Sequence, residues 1–287
     1  MRRRVWCEML PFAELSPVLL EKLAVRRIEL LLAVRPWQLA EIAGIAARVR
    51  AAGVYLGLWP MLGDEHGRWA SVRSMVGFIA LADEVIARVP DAAELVIDLE
   101  PPHEVLARWK ALRPAFPTAQ GYREARAALS AAIGRWKFGD ERRRGTPLRV
   151  TTAVLPLLPL ELRGEWIQRA LGTPATALPV DAHNTMAYTS LYEGWSRGLV
   201  GRRRAEVLLA MTARLARWRF RERAAISLGC VGPGAFGDEP GYRRIDELAR
   251  DVAIAARAGV EEIALFDLAG VVRRGDVDGW LDVLDTT

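Results

Sequence analysis

Two cysteines and three histidines in 287 residues leave little with which to cross-link this chain or to build a soft metal site. Cys7 and Cys230 both fall within apolar runs that read as strands, so they are expected as buried free thiols and not as a disulfide framework. Two thiolates also exclude a zinc site made of cysteine alone. The sequence has no stretch of roughly eighteen uninterrupted apolar residues, the length a membrane-spanning helix requires. Its basic start, Met1-Arg2-Arg3-Arg4-Val5-Trp6-Cys7, imitates a secretory signal, but Glu8 and Pro11 interrupt the apolar run too early. A cytoplasmic chain without a membrane partner is the expectation. A basic stripe is missing too: the net charge of +5 comes from clusters at Arg2–Arg4, Arg142–Arg144 and Arg202–Arg204, which read as solvated surface and not as a nucleic-acid footprint. After the first strand the chain runs Leu10-Pro11-Phe12-Ala13-Glu14, without the glycines of a dinucleotide fingerprint. No linker or composition shift marks off a second domain.

What is present is a large apolar fraction, 51%, ample for a substantial core. Short runs rich in β-branched residues, at Arg4–Met9, Ile28–Val34, Val54–Trp59, Leu95–Glu100, Leu148–Val154, Thr185–Thr189, Ala225–Cys230 and Glu262–Asp267, alternate with stretches of helical period. The helical stretches are Pro17–Val25, Trp37–Ala52, Val72–Arg88, Glu104–Leu112 with Tyr122–Trp136, Glu161–Leu171, Arg203–Arg219, Tyr242–Ala258 and Val277–Leu284. Eight strands alternating with eight helical segments predict a single (β/α)8 TIM barrel spanning residues 1–287, with a helical and loop insertion after strand four at about 115–146. Chemistry in such barrels collects at the C-terminal ends of the strands, whereas the N-terminal ends carry stability.

That rule singles out Glu94-Leu95-Val96-Ile97-Asp98-Leu99-Glu100, followed by Pro101-Pro102. Alternation puts Val96, Asp98 and Glu100 on one face of the strand and Leu95, Ile97 and Leu99 on the other. The two acids lie about 7 Å apart along the strand, close enough that one is expected to hold a proton and act as a general acid. Glu100, nearer the mouth, is the candidate acid, with Asp98 tuning it; pairing of both with an arginine, or with a metal, is the structural alternative. Glu8, at the end of strand one, is a candidate second carboxylate for glycosidic chemistry. Trp59, Trp69 and Trp195 lie at or after strand ends, where flat rings stack on sugars, and Tyr192 and Asp267 join them as candidate substrate contacts.

Asp98-Leu99-Glu100 on strand four, Met186-Ala187-Tyr188 on strand six and Ile263-Ala264-Leu265-Phe266-Asp267 on strand eight resemble the chitinase-like barrels of glycoside hydrolase family 18. The resemblance implies that Glu100 protonates the glycosidic oxygen and Asp98 assists. It also implies that Tyr188 helps hold the substrate's N-acetyl group as that group attacks the anomeric carbon. The chain departs from the family in having Ala93 and Val96 where further strand-four acids stand, Thr189 where an Asp follows the tyrosine, and Phe266 in place of a tryptophan.

Other readings stay open at this level. A metal-dependent sugar isomerase or epimerase needs histidine ligands, and His66, His103 and His183 are the candidates, the last lying before strand six on the stability face. A phosphate site is an option in the glycine-rich loop Gly229–Gly237 with Arg273 and Arg274. A barrel that binds glycan without turnover is the third. A small-molecule or oligosaccharide substrate is expected, with no nucleic-acid partner, no cofactor and no bound metal.

Overall fold

Residues 1–102, 105, 117–139, 147–161, 164–196, 199–234 and 239–285 are described by the structure, a computed structural model of the chain. Its eight strands are β1 (Arg2–Cys7), β2 (Ile28–Val34), β3 (Leu56–Pro60), β4 (Glu94–Leu99), β5 (Arg149–Val154), β6 (Ala182–Met186), β7 (Ala224–Gly229) and β8 (Glu262–Phe266), and they close into a barrel in chain order. The expected (β/α)8 architecture is what forms. Pairing is parallel, with Glu94 opposite Arg149 and Leu99 opposite Val154 between β4 and β5, and Arg2 opposite Glu262 between β1 and β8. Strands buried on both faces read as near-continuous apolar runs, as β2 does in Ile28-Glu-Leu-Leu-Leu-Ala-Val34.

The described α-helices are α1 (Pro17–Val25), α2 (Ile42–Ala51), α3 (Met75–Arg88), α4 (Ala119–Phe138), α5 (Trp166–Leu171), α6 (Thr189–Trp195), α7 (Arg202–Phe220), α8 (Ile245–Arg257), α9 (Leu268–Arg273) and α10 (Val277–Asp285). Thr118 caps α4, its Oγ1 accepting the Gly121 N–H at 3.0 Å. Thr118→Ala is expected to cost about 1 kcal/mol, the usual worth of such a cap, read as a lowered midpoint with an unchanged slope in urea unfolding.

The contacts group into two compact units, residues 1–32, 47–56 and 184–287, and residues 33–46 and 57–183. In the first, the fully buried Arg4 donates to Glu262 Oε1 at 2.6 Å and pairs with Glu29 Oε2 at 3.1 Å, so charges from β1, β2 and β8 neutralise one another at the N-terminal ends. One layer higher, Trp6 Nε1 donates to Ser227 Oγ (2.7 Å), which donates to Asn184 Oδ1 (2.8 Å). In the second unit the buried Glu94 accepts from Arg149 (3.1 Å) and from Thr151 Oγ1 (2.6 Å), again at the strand starts.

Three local expectations are corrected. Strand six runs Ala182–Met186 and not Thr185–Thr189, because its inward positions include Asn184, a polar residue bonded to Ser227 in place of the apolar alternation that marks a strand. His183 is therefore a buried strand residue sharing a 2.8 Å hydrogen bond between its Nδ1 and Thr152 Oγ1. The helix expected over 161–171 begins only at Trp166, since Gly164 and Glu165 take positive φ and the Glu161 carboxylate accepts the N–H groups of Ile167 and Gln168. The segment expected as one helix from Trp37 to Ala52 divides into a 3-10 turn, Pro36–Gln38, and α2. The helix expected at Glu104–Leu112, apart from Val105, lies outside the described residues.

Candidate active site

Strand β4 delivers Asp98 buried, and Glu100, half-buried, is the next residue on the same face, immediately before Pro101-Pro102. The chain after β3 is stitched to this exit: the Ala70 N–H donates to the Asp98 carbonyl at 2.8 Å. Arg35 Nη1 donates to the Leu62 carbonyl at 2.7 Å, and Arg68 donates to Asp64, which holds the Asp64 carboxyl below its ordinary range. A cavity of about 550 Å³ opens beside Pro102, lined by Leu62, Asp64, Glu65, His66 and Arg73 among others. Trp59 and Trp69 are both buried, and the Arg68 guanidinium lies 5.5 Å from the Trp69 ring centroid. Their rings are wall material at this strand end, with little face left open for stacking.

The ends of β1, β6, β7 and β8 belong to the other unit. Tyr188, half-buried, stacks on Phe266 with centroids 5.6 Å apart and planes at 18°. The pair requires glycine beside it: a Cβ on Gly229 would lie 3.0 Å from the Phe266 carbonyl oxygen and 3.3 Å from the Tyr188 ring. The Gly229–Cys230 and Phe266–Asp267 peptide bonds are cis. Glu8 is half-buried, and with Asp267 it adds charge next to Cys7, whose thiol is pushed far up, chiefly by burial. Asp267 is the N-cap of α9, its Oδ1 accepting the Gly270 N–H at 2.9 Å, and burial raises its pKa.

Tyr192 and Trp195, candidate substrate contacts beyond the end of strand six, lie on the short helix α6. Tyr192 is half-buried and bonded to Thr212 of α7, and burial moves its phenol up to about 12. The position after Tyr188 is occupied by Thr189, whose hydroxyl donates to the buried Asp251 of α8 and so points into the helix layer.

The glycine-rich stretch after β7 has a packing explanation. Gly232 and Gly270 meet backbone to backbone, such that a Cβ on Gly270 would lie 2.3 Å from the Gly232 nitrogen. The cavity there, about 260 Å³, is lined by Arg273 but also by Glu239, and Arg274 spends its Nε on the Val231 carbonyl at 2.9 Å. A carboxylate in the wall disfavours phosphate. Residues 235–238 of this loop, and His103, lie outside the described residues. Among the described residues no three His, Cys, Asp or Glu side chains cluster as metal ligands.

Sequence reasoning missed the Trp6–Ser227–Asn184 chain and the pairing of Thr189 with Asp251. For the first a signal existed, a lone serine in Ala225-Ile-Ser-Leu228 at an inward position. For the second there was none, since 62 residues separate the partners.

No family model and no curated protein matches the sequence. Solved structures do match over the whole chain, and they show the fold. A class V chitinase from Nicotiana tobaccum aligns with a TM-score of 0.62 at 11% identity, covering 98% of each chain. The glycoside hydrolase domain of PgaB (BpsB) from Bordetella bronchiseptica aligns at 0.57 and 11%, covering 100% of this chain and 99% of that one. A chitinase-like agglutinin from Robinia pseudoacacia aligns at 0.56 and 12%, covering 98% of each. The fold is similar to that of family 18 chitinases.

Proposed function

We propose that this chain hydrolyses a glycosidic bond in an N-acetylglucosamine-containing oligosaccharide, with Glu100 as the proton donor. The observation that carries the reading is the end of β4, where a buried carboxylate, Asp98, is followed on the same strand face by a half-exposed one, Glu100. Several of the solved chitinases with this fold hold (GlcNAc)3 or (GlcNAc)4, which supports a chito-oligosaccharide as the first substrate class to test. In this reading Glu100 transfers its proton to the glycosidic oxygen as the C–O bond breaks, and the substrate acetamide oxygen closes on the anomeric carbon. Water then adds at that carbon as the bond to the acetamide oxygen breaks, restoring the acetamide, and gives its proton back to the Glu100 carboxylate. Asp98, deeper in the strand, keeps Glu100 protonated by charge repulsion. Tyr188, with Phe266 beneath it, holds the acetamide. Glu8 is proposed as a hydroxyl acceptor, and Trp59, Trp69, Tyr192, Trp195 and Asp267 as residues shaping the substrate groove.

The test is release of reducing ends or of an aryl alcohol from a panel of chito-oligosaccharides and aryl glycosides by the wild-type chain. Absence of turnover on every member would remove the hydrolase reading.

A second reading, a glycan-binding barrel without turnover, is favoured by Thr189. Where the resemblance leads one to expect a carboxylate, this chain has a hydroxyl directed at Asp251. Calorimetric binding of (GlcNAc)4 with no product after prolonged incubation would select it.

A further inference from the structure

A helix on the outside of a barrel is expected to turn a polar face to solvent, and α7 turns a largely apolar one. Its inner side is buried through Ala205, Leu209, Ala213, Ala216 and Phe220. On the outer side Val207, Met211 and Trp218 are 58%, 53% and 62% exposed, and Leu208 is 39% exposed. At 3.6 residues per turn these four and Leu215 fall within an arc of roughly 100°. Arg203 and Arg214 border one edge of that arc, Arg219 borders the other, and Arg204 stands within it at the start of the helix. Just upstream, Leu199 is also exposed.

The charge on α7 is as one-sided as the apolar stripe. Its nineteen residues contain six arginines and one acid, an excess equal to the formal +5 of the entire chain. The single acid, Glu206, accepts from Arg202 (2.9 Å) and Arg250 (3.0 Å), and Arg202 is committed to Asp251. Arg203, Arg204, Arg214, Arg217 and Arg219 form no ion pair among the described residues.

We propose that this face is a docking surface for an anionic lipid bilayer. Val207, Leu208, Met211 and Trp218 enter the boundary between headgroups and acyl chains, with the arginines among the lipid phosphates. An apolar stripe edged by arginine, ending in a tryptophan whose amphipathic ring suits the headgroup level, is the pattern of an interfacial helix. Charge complementarity decides the partner: cations on both edges, and no unpaired acid within α7 itself, match a laterally continuous anionic surface. The contact is peripheral, since among the described residues no helix is long and apolar enough to cross a membrane. It stands independently of the sugar chemistry and runs against the sequence expectation of no membrane partner.

The experiment is co-sedimentation of the full chain with vesicles of phosphatidylcholine alone, and of phosphatidylcholine with phosphatidylserine. Binding to the anionic vesicles only, released near 1 M salt where the Debye length is about 3 Å, is the expected result. Each arginine near such a surface is worth about fivefold in partitioning, so Arg203→Gln with Arg214→Gln should weaken binding about 25-fold. Met211→Ser with Trp218→Ser should weaken it as well. All four side chains are exposed, and an unchanged circular dichroism spectrum and melting temperature would show that the fold is intact. No binding to anionic vesicles, equal binding to neutral ones, or binding indifferent to the α7 variants would each overturn the proposal. Self-association lost on Met211→Ser in a chain that ignores vesicles would overturn it too, and would assign the face to a second copy.

Discussion

Glu100→Gln is expected to lower chito-oligosaccharide hydrolysis by roughly 10²–10⁴ in kcat, with little change in KM. Glutamine keeps the shape of the side chain and its hydrogen-bonding capacity, so substrate still binds and only the transferable proton is lost. The size of the loss should follow the leaving group. A sugar alkoxide cannot depart without protonation, whereas a nitrophenolate can, so an activated aryl glycoside should lose much less activity than the oligosaccharide. That split separates a proton donor from a residue that merely supports the fold. Equal losses on both substrates would remove Glu100 as the acid, and an unchanged rate on both would move the chemistry away from β4 altogether.

Arg202→Ala is expected to destabilise the fold by about 3–5 kcal/mol, the usual penalty for stripping the partner from a buried charge. Asp251 is fully buried on α8, where it accepts from Arg202, Thr189 and Tyr242, and Arg202 also donates to the Glu247 carbonyl at 2.8 Å. Removing the guanidinium leaves the fully buried carboxylate with two neutral donors, Thr189 and Tyr242. The loss should appear as a lower urea midpoint, and it should depend on pH. Burial pushes the Asp251 carboxyl up to about 6, against the opposing pull of Arg202, Thr189 and Tyr242. A carboxyl raised in the folded state binds a proton more readily there than in the unfolded chain. Its contribution therefore worsens as pH rises from its ordinary value near 4 to about 6, and the penalty is relieved on acidification. The deficit of Arg202→Ala should be largest above pH 6 and should shrink toward pH 5. A loss below about 1 kcal/mol, the scale of solvent-exposed ion pairs in general, would mean that α6, α7 and α8 are held by apolar packing alone.

The two predictions touch through Thr189. It follows Tyr188 directly, opens α6, and is fastened to Asp251, so the network that steadies the helix layer also fixes the chain next to the proposed acetamide-holding tyrosine. Arg202→Ala should thus raise KM for an N-acetylated substrate even at temperatures where the variant is folded.

Much of the architecture was legible in the sequence because the signals are local. β-branched runs of five to seven residues separated by helical periods state the alternation of strand and helix without reference to any partner. The end of β4 was legible for the same reason: period two in Glu94–Glu100 places both acids on one face whatever the rest of the chain does. β6 was misplaced by three residues because Ala182-His-Asn-Thr-Met186 lacks an apolar alternation. Its inward asparagine is explained only by Ser227 and Trp6, and the latter lies 221 residues from that serine.

By itself the sequence determined that eight parallel strands close on one another and that two carboxylates leave the barrel at the end of the fourth. Tertiary structure alone decided that Trp59 and Trp69 are wall, that Thr189 turns toward Asp251, and that the outer face of α7 is an apolar stripe edged by unpaired arginines. The division has one physical cause. Backbone periodicity is dictated by neighbours a few residues away, whereas the fate of a polar or aromatic side chain depends on which distant groups are close enough to neutralise or cover it.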